Sequence, residues 1–254
     1  MLVSVAYDFL PKRRTVRTSQ VMDCFGVDFE QGRYVLAEEL ELAVEAGQVV
    51  CFTGDSGSGK SSLMRAAAGQ LEGVLDIDSL ELEQVSLIDG LGLDVAEGLR
   101  VLGACGLGEA QVMLRTPAEL SDGQRYRYRL AKAIADQPQW ILADEFTATL
   151  DRTLAKVIAF NVRKICSRMG IGFLLATTHE DVVVDLEPDV HVRCRLGEEP
   201  VVVAGDCDGE GDAAAGKKSS ASPMRSGSVR RPGTTGRISL GGITERMRLD
   251  SSCM

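Results

Sequence analysis

The clearest chemical signal in the sequence is a glycine-rich loop. It runs Gly54-Asp55-Ser56-Gly57-Ser58-Gly59-Lys60-Ser61 and follows a short apolar segment. Glycines let backbone N–H groups turn inward around an anion, and the N-terminus of a following helix reinforces that site. The lysine of such a loop reaches the β- and γ-phosphates, and the hydroxyl is a ligand for Mg²⁺. The loop predicts nucleotide binding, against the alternative of a flexible Gly/Ser connection. The predicted binding residues are Gly54, Asp55, Ser56, Gly57, Ser58, Gly59, Lys60, Ser61 and Ser62.

A pair of carboxylates follows a second apolar segment. Asp144 and Glu145 come directly after Trp140-Ile141-Leu142-Ala143, a run that is typical of a buried strand. A carboxylate at such a strand end can hold a hydrated Mg²⁺, and the next one can orient and deprotonate a water molecule. Most Asp-Glu pairs are solvated surface residues, but this position favours Ser61 and Asp144 as metal ligands. Glu145 is then the candidate general base.

A third motif opens a predicted helix. In Leu120-Ser121-Asp122-Gly123-Gln124, Ser121 is a good N-cap and Gln124 stands at the capping-box position, which by itself explains the residue types. A helix N-terminus with a serine hydroxyl and glycine amides is also an anion site. The chain therefore has two predicted anion sites, which calls for an explanation.

Apolar segments alternate with helical patterns along most of the chain, which predicts a largely parallel sheet with helices on its faces. We predict strands at 34–44, 49–52, 74–82, 85–88, 140–143, 172–177, 190–195 and 201–203, and helices at 61–69, 93–118, 122–135 and 151–167. Residues 1–32 are predicted to be an N-terminal extension and 33–204 a nucleotide-binding domain. Residues 205–254 contain too few large apolar side chains to offset their ordering entropy, so we predict a disordered low-complexity tail.

Composition excludes several classes of protein. The 254 residues carry a net charge of −9, which gives no global basic field for nucleic acid or an anionic membrane, although it leaves room for a local patch. We interpret the basic cluster within 12–17 as a solvated surface element. The seven cysteines are scattered without a C-x-x-C pair, as expected for reduced thiols of a cytoplasmic protein. No apolar run approaches the roughly 20 residues that span a bilayer, so we expect no membrane insertion of the chain's own.

Together these motifs resemble those of ATP-binding-cassette (ABC) ATPases. The resemblance covers about residues 30–195 and includes Walker A (54–61), the signature (120–124), Walker B (141–145), a D-loop (149–151) and the switch histidine His179. It implies an α/β P-loop NTPase fold, specifically an ABC-type ATPase head with an antiparallel β subdomain and a shortened helical subdomain. It also implies ATP and Mg²⁺ as cofactors.

The family pairing explains the second anion site. Two subunits pair head to tail, so each ATP lies between Walker A of one subunit and the signature of the other. The resemblance therefore implies a homodimer on ATP binding, with Ser121, Gly123 and Gln124 facing the γ-phosphate across the interface. It implies that Glu145 acts as general base and that His179 senses or stabilises the transferred phosphoryl group.

Three features lie at the edges of the resemblance. Tyr34 is a candidate for the aromatic side chain that stacks on adenine, with a sheet-face tyrosine as the alternative. Transporter subunits usually end a strand between Walker A and the signature in Gln, whereas the predicted strand 85–88 is followed by Asp89, our candidate for a substitute metal or water ligand. The stretch from Lys60 to Ser121 is also short, which reduces the helical subdomain that docks onto a membrane partner.

The resemblance leaves more than one function open. The phrases LSDGQRYRYRLA and ATTHED are similar to a branch of soluble ABC-type ATPases, some joined to an acetyltransferase-like domain. We therefore expect a soluble ATPase whose dimerisation does work on an unknown protein partner. The alternative is the nucleotide-binding subunit of a membrane ABC transporter. A DNA-maintenance ATPase is a third hypothesis. Nucleic-acid binding is not otherwise indicated, although a local contact is possible at four basic residues, Lys217, Lys218, Arg230 and Arg231.

The phosphate-loop assignment can be tested by substituting its lysine. Lys60→Ala removes the charge-assisted hydrogen bonds to phosphate, so the Kd for ATP should rise by a factor on the order of 100 or more. Isothermal titration measures the Kd, with Lys156→Ala as a control outside the loop. Tight ATP binding by the Lys60→Ala variant would contradict the assignment.

Overall fold

Within the residues that the computed structural model describes (1–8, 10–26 and 33–204), six strands form a central sheet and two form a separate antiparallel pair. The predicted tail 205–254 lies outside the described residues. The strands are β1 (Leu2–Asp8), β2 (Arg33–Glu41), β3 (Val49–Gly54), β4 (Val74–Asp76), β5 (Trp140–Ala143), β6 (Gly172–Thr177), β7 (Val190–Cys194) and β8 (Val201–Ala204). The larger sheet has the order β4-β5-β6-β3-β7-β8, and only β8 runs antiparallel to its neighbour. The largely parallel sheet predicted from the sequence is confirmed.

Burial explains why the central segments read as unbroken apolar runs. Every residue of β5 and β6 is buried, as expected for parallel strands that are covered on both faces. Alternate residues of β3 enter two different apolar cores: Val49 and Cys51 belong to one, and Val50 and Phe52 to the other. The sheet therefore separates the two cores. Because both of its faces are covered, a ligand can reach the ends of the strands only at the edge of the sheet.

The described residues also form α-helices, and the long ones that follow β3 pack on the sheet. The helices are α1 (Val16–Phe25), α2 (Lys60–Ala68), α3 (Leu87–Gly90), α4 (Val95–Ala104), α5 (Ala110–Met113), α6 (Asp122–Asp136), α7 (Arg152–Met169) and α8 (Val183–Leu186). Leu63 and Met64 of α2 enter the core that holds Phe52, whereas Ile134 of α6 and Ile158 of α7 enter the other. Each long helix thus buries one face against the sheet, as its amphipathic pattern requires.

The first strand was missed in the sequence. β1 pairs with β2 in an antiparallel register that sets Tyr7 opposite Tyr34, so part of the predicted extension belongs to the same small sheet as β2. Only Val3 of β1 is fully buried, and its other side chains give little of the alternation that marks a half-buried strand. The pair confirms the antiparallel β subdomain.

The segment after β4 differs from prediction. The strand predicted at 74–82 ends at Asp76, and the strand predicted at 85–88 is wrong because Leu87–Gly90 is the helix α3. Ser86 caps this helix by accepting a hydrogen bond from the Asp89 N–H. A short apolar run does not by itself distinguish a strand from a buried helical turn, so the capping serine decides the outcome.

Asp189 joins three elements at the start of the central strands. Its carboxylate accepts hydrogen bonds from both terminal nitrogens of Arg163 in α7, at 2.7 and 3.1 Å, and from the Val49 N–H at 2.7 Å. All three donors lose their acceptor in Asp189→Ala.

We expect Asp189→Ala to lower the free energy of unfolding by about 2 kcal/mol, because half-buried donors stay unpaired. Urea denaturation measures the change. The matched control is Glu198→Ala, which breaks the exposed pair of Arg195 and Glu198 and should change stability by less than about 0.5 kcal/mol. Equal losses in the two variants would contradict the role given to Asp189.

Candidate functional site

The glycine-rich loop connects β3 to α2. Lys60 is the first residue of α2, and Gly59 is its N-cap with a φ of 86°. The Lys60 Nζ donates a hydrogen bond of 2.6 Å to the Asp55 carbonyl, and the Ser58 hydroxyl donates one of 2.8 Å to the same oxygen. These bonds hold the loop in a compact turn whose following helix presents its first N–H groups, which have no partners within the helix.

Two glycines of the loop are required by close packing. At Gly54, with φ 137°, a Cβ would lie 1.8 Å from the carbonyl oxygen of Cys194 in β7. At Gly59, a Cβ would lie 2.3 Å from the side chain of Leu36 in β2. Both residues also adopt a positive φ that L side chains rarely take. The glycines seen in the sequence therefore serve contacts with two strands as well as the turn itself.

Ser61 and Asp144 meet at the carboxyl end of the sheet. The Ser61 hydroxyl donates a hydrogen bond of 2.8 Å to Asp144 Oδ1, which also accepts one of 2.9 Å from the Glu145 N–H. A hydroxyl beside a carboxylate is a partial ligand set suited to Mg²⁺, which usually keeps several waters and takes further oxygens from substrate phosphates. Among the described residues, no group of three His, Cys, Asp or Glu could hold a metal alone. The residues present fit a nucleotide-bound Mg²⁺.

Glu145 occupies an unusual backbone position just after β5. Its φ is 49°, in the left-handed region that non-glycine residues seldom adopt, and its side chain is exposed. The next residue, Phe146, is fully buried and donates its N–H to the Ala176 carbonyl at 2.7 Å. The buried phenylalanine and this bond hold the backbone turn that places Glu145 at the cavity wall.

These groups line one cavity of about 420 Å³. Its walls are formed by Tyr7, Ser56, Gly57, Gly59, Lys60, Ser61, Ser62, Asp144, Glu145, Ala148, Ala176, Thr177 and Thr178. The structure therefore brings together most of the predicted loop residues and both Walker B carboxylates. The predicted residues that it leaves outside the wall are Tyr34, Gly54, Asp55, Ser58, Asp89, Ser121, Gly123, Gln124 and His179.

Tyr7 is a wall residue that sequence reasoning missed. Its hydroxyl donates a hydrogen bond to the Ser62 hydroxyl. Tyr34 stands opposite Tyr7 in the register of β1 and β2, and directly opposed residues of an antiparallel pair share a face. Tyr34 thus adjoins the wall instead of forming it. No local motif marks Tyr7, because only the pairing of β1 with β2 carries it to the loop.

Asp89 is not at the end of a strand. Its carboxylate accepts a hydrogen bond from the Ser86 hydroxyl at the start of α3, which gives it a local structural role. The strand beside β5 is β4, and its last residue, Asp76, lies 3.5 Å from Arg65 Nη1. The other nitrogen, Arg65 Nη2, lies 3.4 Å from Asp144 Oδ2. Asp76 is therefore the carboxylate at the end of the edge strand β4, and Arg65 connects it to Asp144.

His179 and the signature residues lie outside the cavity wall. The His179 N–H donates to Thr177 Oγ1 at 3.1 Å, which places the residue just beyond two wall residues. Ser121 and Gln124 form the predicted capping box of α6: Ser121 Oγ accepts from the Gln124 N–H at 3.3 Å, and Gln124 Oε1 accepts from the Ser121 N–H at 3.1 Å. The capping interpretation of this motif is confirmed.

The cavity wall carries one cation, the buried Lys60 ammonium, together with the carboxylates of Asp144 and Glu145. Burial lowers the pKa of the Lys60 ammonium, and Cys194, Asp144, Asp55 and Glu145 partly oppose the shift. Reduced solvation strengthens the attraction of this ammonium for an anion that enters the cavity. The arrangement suits a polyanion that binds together with a cation, such as the Mg²⁺ complex of a nucleoside triphosphate.

Comparison with known proteins agrees with this geometry. Residues 37–90 match the ABC transporter family. The thiamine import ATP-binding protein of Vibrio parahaemolyticus is 30% identical over 183 residues, which cover 58% of this chain and 78% of that relative. The Fe(3+) ions import ATP-binding protein of Rhizobium etli is 29% identical over 187 residues, 59% of this chain and 52% of the relative. The chain thus spans about half the length of the iron-import relative.

The fold has a counterpart among solved structures. A dimeric ATP-binding cassette in a post-hydrolysis state, bound to ADP and Pi, aligns with 78% of this chain and 96% of its own at a TM-score of 0.53 and 17% identity. Fold and site define a P-loop ATPase. The chain belongs to the ABC transporter family of ATP-binding proteins and is an ABC-type ATPase.

The two tyrosines give a test of the cavity wall. We expect Tyr7→Ala to raise the Kd for ATP about 10-fold, because stacking of a base on an aromatic ring contributes roughly 1–3 kcal/mol. Tyr34→Ala is the matched control from the same cross-strand pair and should raise the Kd less. Titration with a fluorescent ATP analogue measures both, and thermal unfolding checks that the small sheet stays intact. A larger loss in Tyr34→Ala would favour Tyr34 as the stacking residue, as the sequence predicts.

Proposed function

We propose that the chain hydrolyses ATP with Mg²⁺ at the interface of a head-to-tail homodimer. The observation that carries the proposal is the 2.8 Å bond between Ser61 Oγ and Asp144 Oδ1 in the cavity that also contains Lys60. It joins the residue after the phosphate-loop lysine to the carboxylate at the end of β5. Phosphate binding and metal binding therefore converge at one point.

Each wall residue then has a chemical role. Lys60 neutralises charge on the β- and γ-phosphates, and the loop amides bind the phosphate oxygens. Ser61 and Asp144 would hold Mg²⁺, which would supply neutralisation of the phosphate charge. Glu145 orients a water molecule and accepts its proton as the water attacks the γ-phosphorus; the bond from that phosphorus to the bridging oxygen breaks, and ADP leaves with its electron pair. His179 lies beyond the wall in this arrangement, and we propose that it contacts the transferred group only when the partner subunit closes the site.

The second subunit would complete each site. Ser121, Gly123 and Gln124 lie at the N-terminus of α6, outside the cavity of their own chain. That helix end offers backbone N–H groups and a positive dipole end to a phosphate. Gly123 also lies close to the D-loop, because a Cβ there would be 3.1 Å from the Thr149 carbonyl. A γ-phosphate bound in one subunit could thus be covered by the α6 end of the other.

We propose further that this ATPase is the nucleotide-binding subunit of a membrane transporter and lies on its cytoplasmic side. The support is comparative, because both relatives described above are import ATP-binding proteins. These relatives favour the transporter alternative over the soluble ATPase that we first expected. No helix in the described part of the chain is both long and apolar enough to cross a bilayer.

A second candidate function is a soluble ABC ATPase that acts on a protein partner, as in the branch noted in the sequence. The observation in its favour is the short helical region between the two motifs. There, α3 and α5 have four residues each and α4 has ten.

The general base and the dimer can be tested with one substitution. Glu145→Gln removes the proton acceptor but preserves shape, so we expect kcat to fall at least 100-fold, because general-base catalysis usually contributes a factor of about 10²–10⁴. The ATP-bound variant should then accumulate as a dimer, measured by light scattering after size exclusion. Glu72→Gln, an exposed residue outside the cavity, is the matched control. A Glu145→Gln variant that remains monomeric with saturating ATP and Mg²⁺ would contradict the head-to-tail arrangement.

The same trapped variant distinguishes the two candidate partners. We would purify tagged Glu145→Gln with ATP from detergent-solubilised whole cells. Recovery of an integral membrane protein in a fixed ratio supports the transporter subunit. Recovery of a soluble protein in a fixed ratio instead supports the second candidate.

A further inference from the structure

Helix α1 is a feature that the ATPase mechanism does not use. It lies between β1 and β2 in the chain and has defined ends. Thr15 caps its first turn by accepting a hydrogen bond from the Thr18 N–H at 3.2 Å, and Gly26 ends it with a φ of 63°. Met22 is the helix's one buried residue and belongs to neither of the two described cores. The helix is therefore well capped but little buried.

The outer face of α1 carries apolar side chains in water. Val21 is 57% exposed and Phe25 is 79% exposed. They are four residues apart and so lie on the same face, together with Arg17 one turn earlier. Val16, at the start of the helix, is 75% exposed. Exposed apolar residues are ordinary when scattered, but a stripe on an otherwise unburied helix marks an interaction surface.

Positive charge accompanies this stripe. Lys12 and Arg13 precede the helix, Arg17 lies within it, and all three are exposed. The chain as a whole has a net charge of −9, so the cluster runs against the global balance. Asp23 balances Arg17 within the helix, so the positive charge is concentrated at and before its N-terminal end. A basic segment joined to exposed Val and Phe is typical of a chain that lies in the headgroup region of a membrane.

We propose that α1 docks onto an anionic lipid surface, with Val21 and Phe25 entering the headgroup boundary and the cations contacting lipid phosphates. Charge complementarity selects an anionic partner, and the apolar stripe selects a lipid over a nucleic acid. The phosphate and sugar backbone of a nucleic acid has no apolar surface against which a valine side chain can be buried. The boundary of the acyl chains in a membrane removes that side chain from water. The surface adds an attachment independent of any membrane subunit, so it does not rest on the proposed transporter function.

Vesicle flotation of the full chain tests the proposal. We expect it to float with phosphatidylcholine vesicles that contain phosphatidylglycerol and to remain below pure phosphatidylcholine vesicles. Binding should weaken as salt rises, because the headgroup attraction is screened. Absence of flotation with the anionic vesicles at low salt, or equal binding to both vesicle types, would overturn the proposal.

Two variants separate the contributions. Lys12→Ala/Arg13→Ala/Arg17→Ala should weaken vesicle binding by roughly 100-fold, since each cation near an anionic surface contributes about a factor of five. Val21→Ser/Phe25→Ser should weaken it at least ~10-fold, from the lost apolar burial. The control, Val184→Ser/Leu196→Ser, removes two side chains of similar exposure (78% and 71%) elsewhere and should leave binding unchanged.

ATPase activity reports folding in each variant, because none of these residues lines the cavity. Loss of vesicle binding with intact ATPase activity in both α1 variants supports the proposal. If the triple variant lost binding to duplex DNA while no protein bound vesicles, the cluster would be a nucleic-acid contact and the proposal would be wrong. If the control lost as much binding as the α1 stripe variant, the lipid contact would not be specific to α1.

Discussion

The parallel pairing of β3, β6 and β5 is the constraint on which the rest of the structure depends. Because these strands run in the same direction, their carboxyl ends lie at one edge of the sheet. The phosphate loop leaves β3 there, Asp144 leaves β5, and Thr177 ends β6. Residues more than 80 positions apart, such as Ser61 and Asp144, thereby come within hydrogen-bond distance. Open parallel sheets bind ligands at this edge for the same reason.

Packing against neighbouring strands then gives the loop its shape. Gly54 abuts the Cys194 carbonyl of β7, and Gly59 abuts Leu36 of β2. The small antiparallel sheet thus supports the loop as well as placing Tyr7 on the cavity wall. Arg65 links the ends of β4 and β5 through Asp76 and Asp144. The site is therefore held by strands on either side of the loop, not by the loop alone.

One chain carries two surfaces that we propose to bind phosphate, and the second lies outside the cavity wall that contains the first. The cavity holds Lys60, Ser61 and Glu145, whereas Ser121 caps α6 outside that cavity. Separation of the two surfaces gives a physical reason for a dimer, because a second subunit can cover the first one's cavity. The exposed α1 stripe is a third surface, and its basic and apolar residues differ in chemistry from both.

The sequence by itself determined the residues of the phosphate loop, the Walker B carboxylates, the α6 cap and the buried strands 140–143 and 172–177. These follow from local patterns, since glycines, capping residues and apolar runs act over a few positions. Tertiary structure alone decided the wall role of Tyr7, which depends on the pairing of an exposed strand. It also decided that the edge strand β4 ends at Asp76 and that Asp89 lies in helix α3. A short apolar run fits either a strand or a helix, and only its capping residues and its contacts with the sheet determine which of the two forms.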